Sequence, residues 1–241
     1  MNLLRFDSES SWTAGVVSLW RDRLRTKPDL KMCLPSGTTP VRIYEQMSHS
    51  VRAGLVSFER ATVFALDEFG DLALDDPGRT RLMIQRQLID AVDLPAARYH
   101  FLDPDRADLA GQCADYDAAI GGGFDLILLG LGLNGHLGMN EPDSPIDAGT
   151  RRADLHASTI RSSAAYFAHG NLPRWGLTVG LKTILASNEV WLLASGEAKA
   201  AIVERVLRGE VGAGVPATLL RHHSNCSVFL DPGAAGRIAD C

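Results

Sequence analysis

The sequence predicts an α/β fold, a mostly parallel, doubly wound sheet with helices on both faces, and three observations carry that expectation. Short apolar runs suited to buried strands recur at 30–35, 61–66, 124–132, 189–195 and 226–231. Segments of helical pattern alternate with them along the whole length. Four of the runs end in polar clusters, and open α/β sheets keep their ligands beyond the carboxyl ends of their strands.

Taken in order, residues 11–25 read as an amphipathic helix with Ala14, Val17, Leu19 and Leu24 among its apolar positions. LKMCLP at 30–35 is a buried strand ending in SGTTP, a breaker and hydroxyl cluster, and a helix follows through Tyr44 and Met47. ATVFAL at 61–66 is a second buried strand and ends in the acidic pair Asp67-Glu68. Residues 80–92 are helical in pattern, RYHFL at 98–102 is a short strand, and 109–120 is a further helix. FDLILLGLG at 124–132 is the clearest strand and runs into the glycine-rich turn LNGHLGMNEP. A helix at 181–186, the strand EVWLLAS, a helix at 197–207 and the strand CSVFLD complete the pattern. No repeat, low-complexity tract or linker interrupts it, so 1–241 is read as a single domain. The less periodic stretch 143–172, with Pro145, Gly149 and Gly170, reads either as a lid over the site or as a plain surface excursion.

Composition narrows the partners. Hydrophobic residues at 46% and charged residues at 22% are those of an ordinary globular protein. A net charge of −5 offers no global attraction to nucleic acid or an anionic membrane, so an anionic substrate must find local donors. The opening MNLLRFDSES lacks the basic start and apolar run of a secretory signal, and no apolar stretch is long enough for a bilayer. The cysteines at 33, 113, 226 and 241 form no CxxC pair, which argues against a zinc or disulfide framework and for a reducing cytoplasm. His49, His100, His156 and His169 are isolated, and His222-His223 has no metal-ligand spacing, so no metal site is expected.

The polar clusters carry the chemistry. In SGTTP, Gly37 permits a tight turn, the next helix begins near Pro40, and Ser36, Thr38 and Thr39 supply hydroxyl donors. The segment reads as a phosphate cradle or as an ordinary strand-to-helix turn capped by Thr39. It lacks the Walker spacing. A carboxylate at the shielded exit of a strand can serve as a general base, and alternation along a strand lets only one of Asp67 and Glu68 face the site. A helix or turn cap is the alternative. His136 is the natural proton-transfer group near neutral pH, and Glu141 can fold back to fix its tautomer. The segment is not a dinucleotide fingerprint. Lys199 reads as a point charge for phosphate or as a solvated surface lysine.

In order, LPSGTTP, LDEFGDL, LGLGLNGHLGMNEP, LTVGLKTIL and SGEAK resemble the glucosamine-6-phosphate deaminases, also called isomerases, over most of the chain. NGHLGMNEP is similar to the galactosamine-6-phosphate branch. The related 6-phosphogluconolactonases share the Gly-His turn but continue with a Ser-Leu-Phe-Pro type of segment instead of Asn140-Glu141-Pro142. The resemblance implies that Ser36, Gly37, Thr38 and Thr39 hold the substrate phosphate with Lys199. It implies that Asp67 moves a proton between C2 and C1, that His136 opens the sugar ring at O5, and that Glu141 is the acidic partner of His136. Ammonia and a ketohexose 6-phosphate would be the products, with no cofactor. A small-molecule sugar phosphate is then the partner. A homo-oligomer is compatible with the sequence.

Some positions depart from the pattern. Asn134 stands where glucosamine enzymes have Asp, and the amide keeps the shape while losing the charge. The family's phosphate-binding arginine is replaced near Ala165, leaving Arg161 or Arg151 as substitutes. Pro145 after Ser144, and Ala153 in place of a lysine, predict weak or absent allosteric activation. Two other readings stay open: a sugar-phosphate lactonase in which His136 activates water, and a sugar-phosphate sensor without catalysis.

Overall fold

A computed structural model describes residues 1–168 and 170–238; His169 and Cys241 lie outside the described residues. The chain opens with β1 (Asn2–Arg5), α1 (Glu9–Thr26), β2 (Lys31–Leu34), α2 (Val41–Arg52), β3 (Thr62–Ala65) and β4 (Asp67–Phe69). It continues through α3 (Thr80–Gln87), β5 (Tyr99–His100), α4 (Leu109–Ile120) and β6 (Leu126–Gly130). Then come β7 (Arg151–Asp154), α5 (Ala157–Ser163), β8 (Trp175–Thr178), α6 (Leu181–Leu185), β9 (Val190–Ala194), α7 (Ala200–Arg208) and β10 (Cys226–Leu230).

Seven strands form one sheet in the order β1-β10-β9-β6-β2-β3-β5, and every pairing in it is parallel. This is the expected doubly wound sheet. Strand β6 shows why its sequence reads as uninterrupted apolar residues. Leu126 and Leu128 enter one core with Trp20, Phe58 and Trp191. Ile127 and Leu129 enter the opposite core with Phe64, Phe124 and Leu192. All four side chains of β6 are fully buried, and each such burial is worth about 1.5–3 kcal/mol.

The strand order reverses between β2 and β6. From β2 the chain builds outward through β3 and β5; it then returns to the other flank of β2 with β6 and builds outward through β9 and β10. The loops leaving β2 and β6 therefore diverge and open a crevice at the carboxyl edge, the switch point where such sheets bind ligands.

The structure adds to or corrects the sequence reading in five places. A second, antiparallel sheet, β4-β8-β7, stands beside the first. The apolar run at 61–66 does not end at the acidic pair. Leu66 donates its N–H to Leu34 O at 3.1 Å in the large sheet and accepts from Val179 N at 2.9 Å beside the small one, so one strand passes from sheet to sheet. Segment 143–172 is partly built into this second sheet through β7, whose pairing with β8 reaches Trp175. In α1 the buried apolar stripe is Trp12, Val16, Val17, Trp20 and Leu24, whereas Ala14 is exposed and Leu19 half-buried. The expected helix at 197–207 begins as a single 3-10 turn, Glu197–Lys199, before α7. Among the described residues, no helix is long and apolar enough to cross a membrane.

Candidate active site

A cavity of about 520 Å³ occupies the switch point. Ser36, Thr38 and Thr39 line it from the loop after β2, and Asp67 from the strand that continues β3. Gly132 and His136 reach it from the turn after β6, and Lys199 from the 3-10 turn after β9. The fourth wall comes from α5 and the following 3-10 turn, with Thr159, Ser162, Ser163 and Tyr166.

One end is rich in hydroxyl donors. Gly37 has φ +103°, a conformation that side chains disfavour, and this turns the backbone toward α2. The residue capping α2 is Pro40, with no side-chain hydrogen bond, so the turn is not one capped by Thr39. Among the described residues, the hydroxyls of Ser36, Thr38 and Thr39 have no protein partner and remain available to a ligand. Lys199 is not a solvated surface lysine. Its Nζ donates to Leu131 O at 2.6 Å, and burial lowers its pKa. Neither arginine considered from the sequence lines the cavity. Arg161 is exposed, and Arg151 donates to Asn140 Oδ1 at 3.1 Å and to Ser144 Oγ at 2.9 Å elsewhere. Lys199 is therefore the one lysine or arginine that lines the cavity among the described residues.

Strand alternation divides the acidic pair between two tasks. Glu68 faces away from the cavity, where its Oε1 accepts from Phe69 N and Thr80 N at 2.9 Å and its Oε2 from Arg81 N at 3.0 Å. It caps the start of α3. Asp67 faces the cavity, is 9% exposed, and no protein donor reaches its carboxylate among the described residues. Burial, and then the charge of Glu68, push its carboxyl up to about 7. A carboxylate poised there is matched to proton abstraction near neutral pH.

The turn after β6 builds a second polar unit. A side chain at Gly132 would overlap the His136 ring, so glycine is what lets the imidazole fold back against the strand end. His136 Nδ1 lies 2.8 Å from Asn134 Oδ1, 3.1 Å from Thr159 Oγ1 and 3.5 Å from Glu141 Oε2. Asn134 Nδ2 donates to Glu141 Oε2 at 2.8 Å, and this orients the amide so that its Oδ1 faces the ring. The network thus assigns the neutral imidazole proton to Nδ1 and leaves Nε2 as the free ring atom. Burial opposes ionisation of Glu141, but His136, Thr159 and Asn134 outweigh it and hold the carboxyl at about 2. Asn134 and Glu141 stand behind His136 and do not line the cavity.

Thr159 and Tyr166 were not singled out from the sequence. The hydroxyl-rich run ASTIRSS was the available signal, but its place over the cavity depends on the second sheet. Among the described residues, no group of three or more His, Cys, Asp or Glu is gathered to hold a metal ion. The remaining cysteines described, Cys33, Cys113 and Cys226, are free and buried.

A family model for glucosamine-6-phosphate isomerases and 6-phosphogluconolactonase matches residues 8–229. A glucosamine-6-phosphate deaminase of Rhodopirellula baltica is 40% identical over 232 residues, spanning 95% of this chain and 92% of that protein. One of Shewanella loihica is 39% identical over 222 residues, spanning 91% of this chain and 83% of that protein. The solved structure of a monomeric glucosamine-6-phosphate deaminase superposes with a TM-score of 0.94 at 30% identity, covering 98% of this chain and all of the other. A 6-phosphogluconolactonase from Trypanosoma brucei shares the fold, with a TM-score of 0.77 at 19% identity over 99% of this chain and 98% of that one. With a model match over most of its length and relatives at this identity, the chain belongs to the glucosamine-6-phosphate isomerase/6-phosphogluconolactonase family.

Proposed function

We propose that this protein isomerises and deaminates a 2-amino-2-deoxyhexose 6-phosphate, with water, to a ketohexose 6-phosphate and ammonia. The supporting observation is that a hydroxyl-rich loop, a half-buried lysine, a carboxylate with no protein donor among the described residues and an oriented imidazole line one cavity.

The phosphate lies against Ser36, Thr38 and Thr39, with Lys199 supplying charge. His136, through Nε2, moves the proton that opens the ring at O5, and Glu141 stabilises the imidazolium that forms. Asp67 removes the proton from C2 of the open chain. The electron pair forms a C1–C2 double bond of enediol type, bearing the amino group on C2. Return of the proton to C1 leaves an imine at C2. Water adds to that carbon, ammonia departs, and the ketone remains. No redox step occurs, and none of the steps draws on a cofactor.

The names of the relatives make glucosamine 6-phosphate the first substrate, giving fructose 6-phosphate, with the galactosamine epimer as the second. The free buried thiols suit the reducing cytoplasm in which we place the reaction. In the same reading, α5 and the turn after it act as a lid. The test is a panel of glucosamine 6-phosphate, galactosamine 6-phosphate and 6-phosphogluconolactone. Ammonia release from an amino sugar is the expected result; acid release from the lactone alone would replace this proposal with a lactonase.

A further inference from the structure

We infer that Tyr166 is a phosphate-binding residue, donating its hydroxyl to the substrate from the wall opposite loop 36–39. The inference rests on the assignment of that loop as the phosphate seat.

A phosphate dianion presents three terminal oxygens and needs more donors than one ammonium supplies. Lys199 already spends one of its three protons on Leu131 O. Three further hydroxyls line the facing wall, and each is committed. Ser162 Oγ and Ser163 Oγ donate to Thr159 O at 3.1 and 2.8 Å. Thr159 Oγ1 accepts from His136 Nδ1 and gives its own proton to Glu141. A serine or threonine hydroxyl has a single proton, so none of these has one left for a ligand. Tyr166 Oη has no protein partner among the described residues, and the residue lines the cavity.

Its position adds to this. A first side-chain carbon at Gly37 would lie 3.5 Å from Tyr166 Oη, so the hydroxyl stands over the middle of the loop. The next residue holds the turn in place. Phe167 packs edge-on against Phe69 with ring centroids 5.0 Å apart, and Gly78 is close enough that a side chain there would overlap its ring. The phenol is thus a neutral donor on a short, anchored side chain. It does the work of gripping the anion where neither Arg151 nor Arg161 reaches the cavity.

Tyr166→Phe removes the donor and leaves the wall. In the full-length protein it is expected to raise KM for the amino-sugar phosphate about 10-fold, with the smaller part of the loss on kcat, as for a hydrogen bond to a charged group. The dissociation constant of inorganic phosphate, followed by calorimetry, is expected to rise by a similar factor. Unchanged KM and unchanged phosphate affinity in Tyr166→Phe would overturn the inference and leave Tyr166 as a wall. The phosphate titration separates this failure from that of the proposed function. A wild-type protein that binds phosphate but releases no ammonia overturns the reaction, while the Tyr166→Phe comparison still decides the ligand. A wild-type protein that binds no phosphate overturns the seat and Tyr166 with it.

Discussion

Asp67 and Glu141 are carboxylates of one site, buried to nearly the same extent, at 9% and 7% exposure, yet they titrate far apart. Asp67 is buried beside another acid, with no donor to its carboxylate among the described residues, and its carboxyl rises to about 7. Glu141 is buried among His136, Thr159 and Asn134, and its carboxyl stays at about 2. Burial alone therefore decides neither; the partners do. Carboxylates driven apart in this way divide the labour, one exchanging a proton with the substrate and the other keeping a fixed charge.

Removing the exchangeable proton breaks the comparison most severely. Asp67→Asn is expected to lower ammonia release by about 10²–10⁴-fold, the range for loss of a general base. The same change is expected to stabilise the fold at alkaline pH. The folded pKa of Asp67 lies above its ordinary value of 3.8, so between these two values the native state holds the extra proton. The stability carried by that proton is complete at low pH and is lost as pH rises through about 7. Thermal unfolding at pH 8.5 should favour Asp67→Asn by on the order of 1–3 kcal/mol, and at pH 4 the difference should vanish.

Glu141→Gln keeps the shape and removes the fixed charge. Its expected cost in kcat is about 10²-fold, since the imidazolium loses its counter-charge. The stability linkage runs the other way. Glu141 is depressed from 4.5 to about 2, so its contribution is present above 4.5 and is lost as pH falls through about 2. Acid unfolding of wild type and Glu141→Gln should therefore converge toward pH 2.

Asn134→Asp makes the Glu141 side resemble the Asp67 side. It replaces a donor 2.8 Å from Glu141 Oε2 with a second acid, and two carboxylates at that distance must share a proton. The pH profile of kcat/KM should gain a step that wild type lacks, with activity at pH 7 altered by about tenfold. Thr159→Val removes one hydroxyl from the same unit and has the smallest expected effect, about 2–5-fold in kcat.

The sequence carried the large sheet well, because strands covered on both faces must be continuous apolar runs and each lies between helical segments. It carried the switch-point cluster too, since Ser36, Asp67, His136 and Lys199 each follow such a run. The second sheet was not legible. Its strands are three and four residues long, and the acidic pair looks like a strand's end while continuing it. Alternation correctly anticipated that one acid of the pair would turn away, but only the hydrogen bonds to Thr80 and Arg81 identify Glu68 as that acid. Arg151 and Arg161 could not be placed from sequence because their positions depend on β7 and α5. Thr159 and Tyr166 were overlooked for the same reason.

The role of Asp67 is tested most directly by following a deuterium label at C2 of glucosamine 6-phosphate by NMR. Wild-type protein is expected to move the label off C2, to C1 or to water, as ammonia appears. Asp67→Asn is expected to bind inorganic phosphate as wild type does and to leave the label on C2. Departure of the label from C2 at the wild-type rate in Asp67→Asn would contradict the assignment.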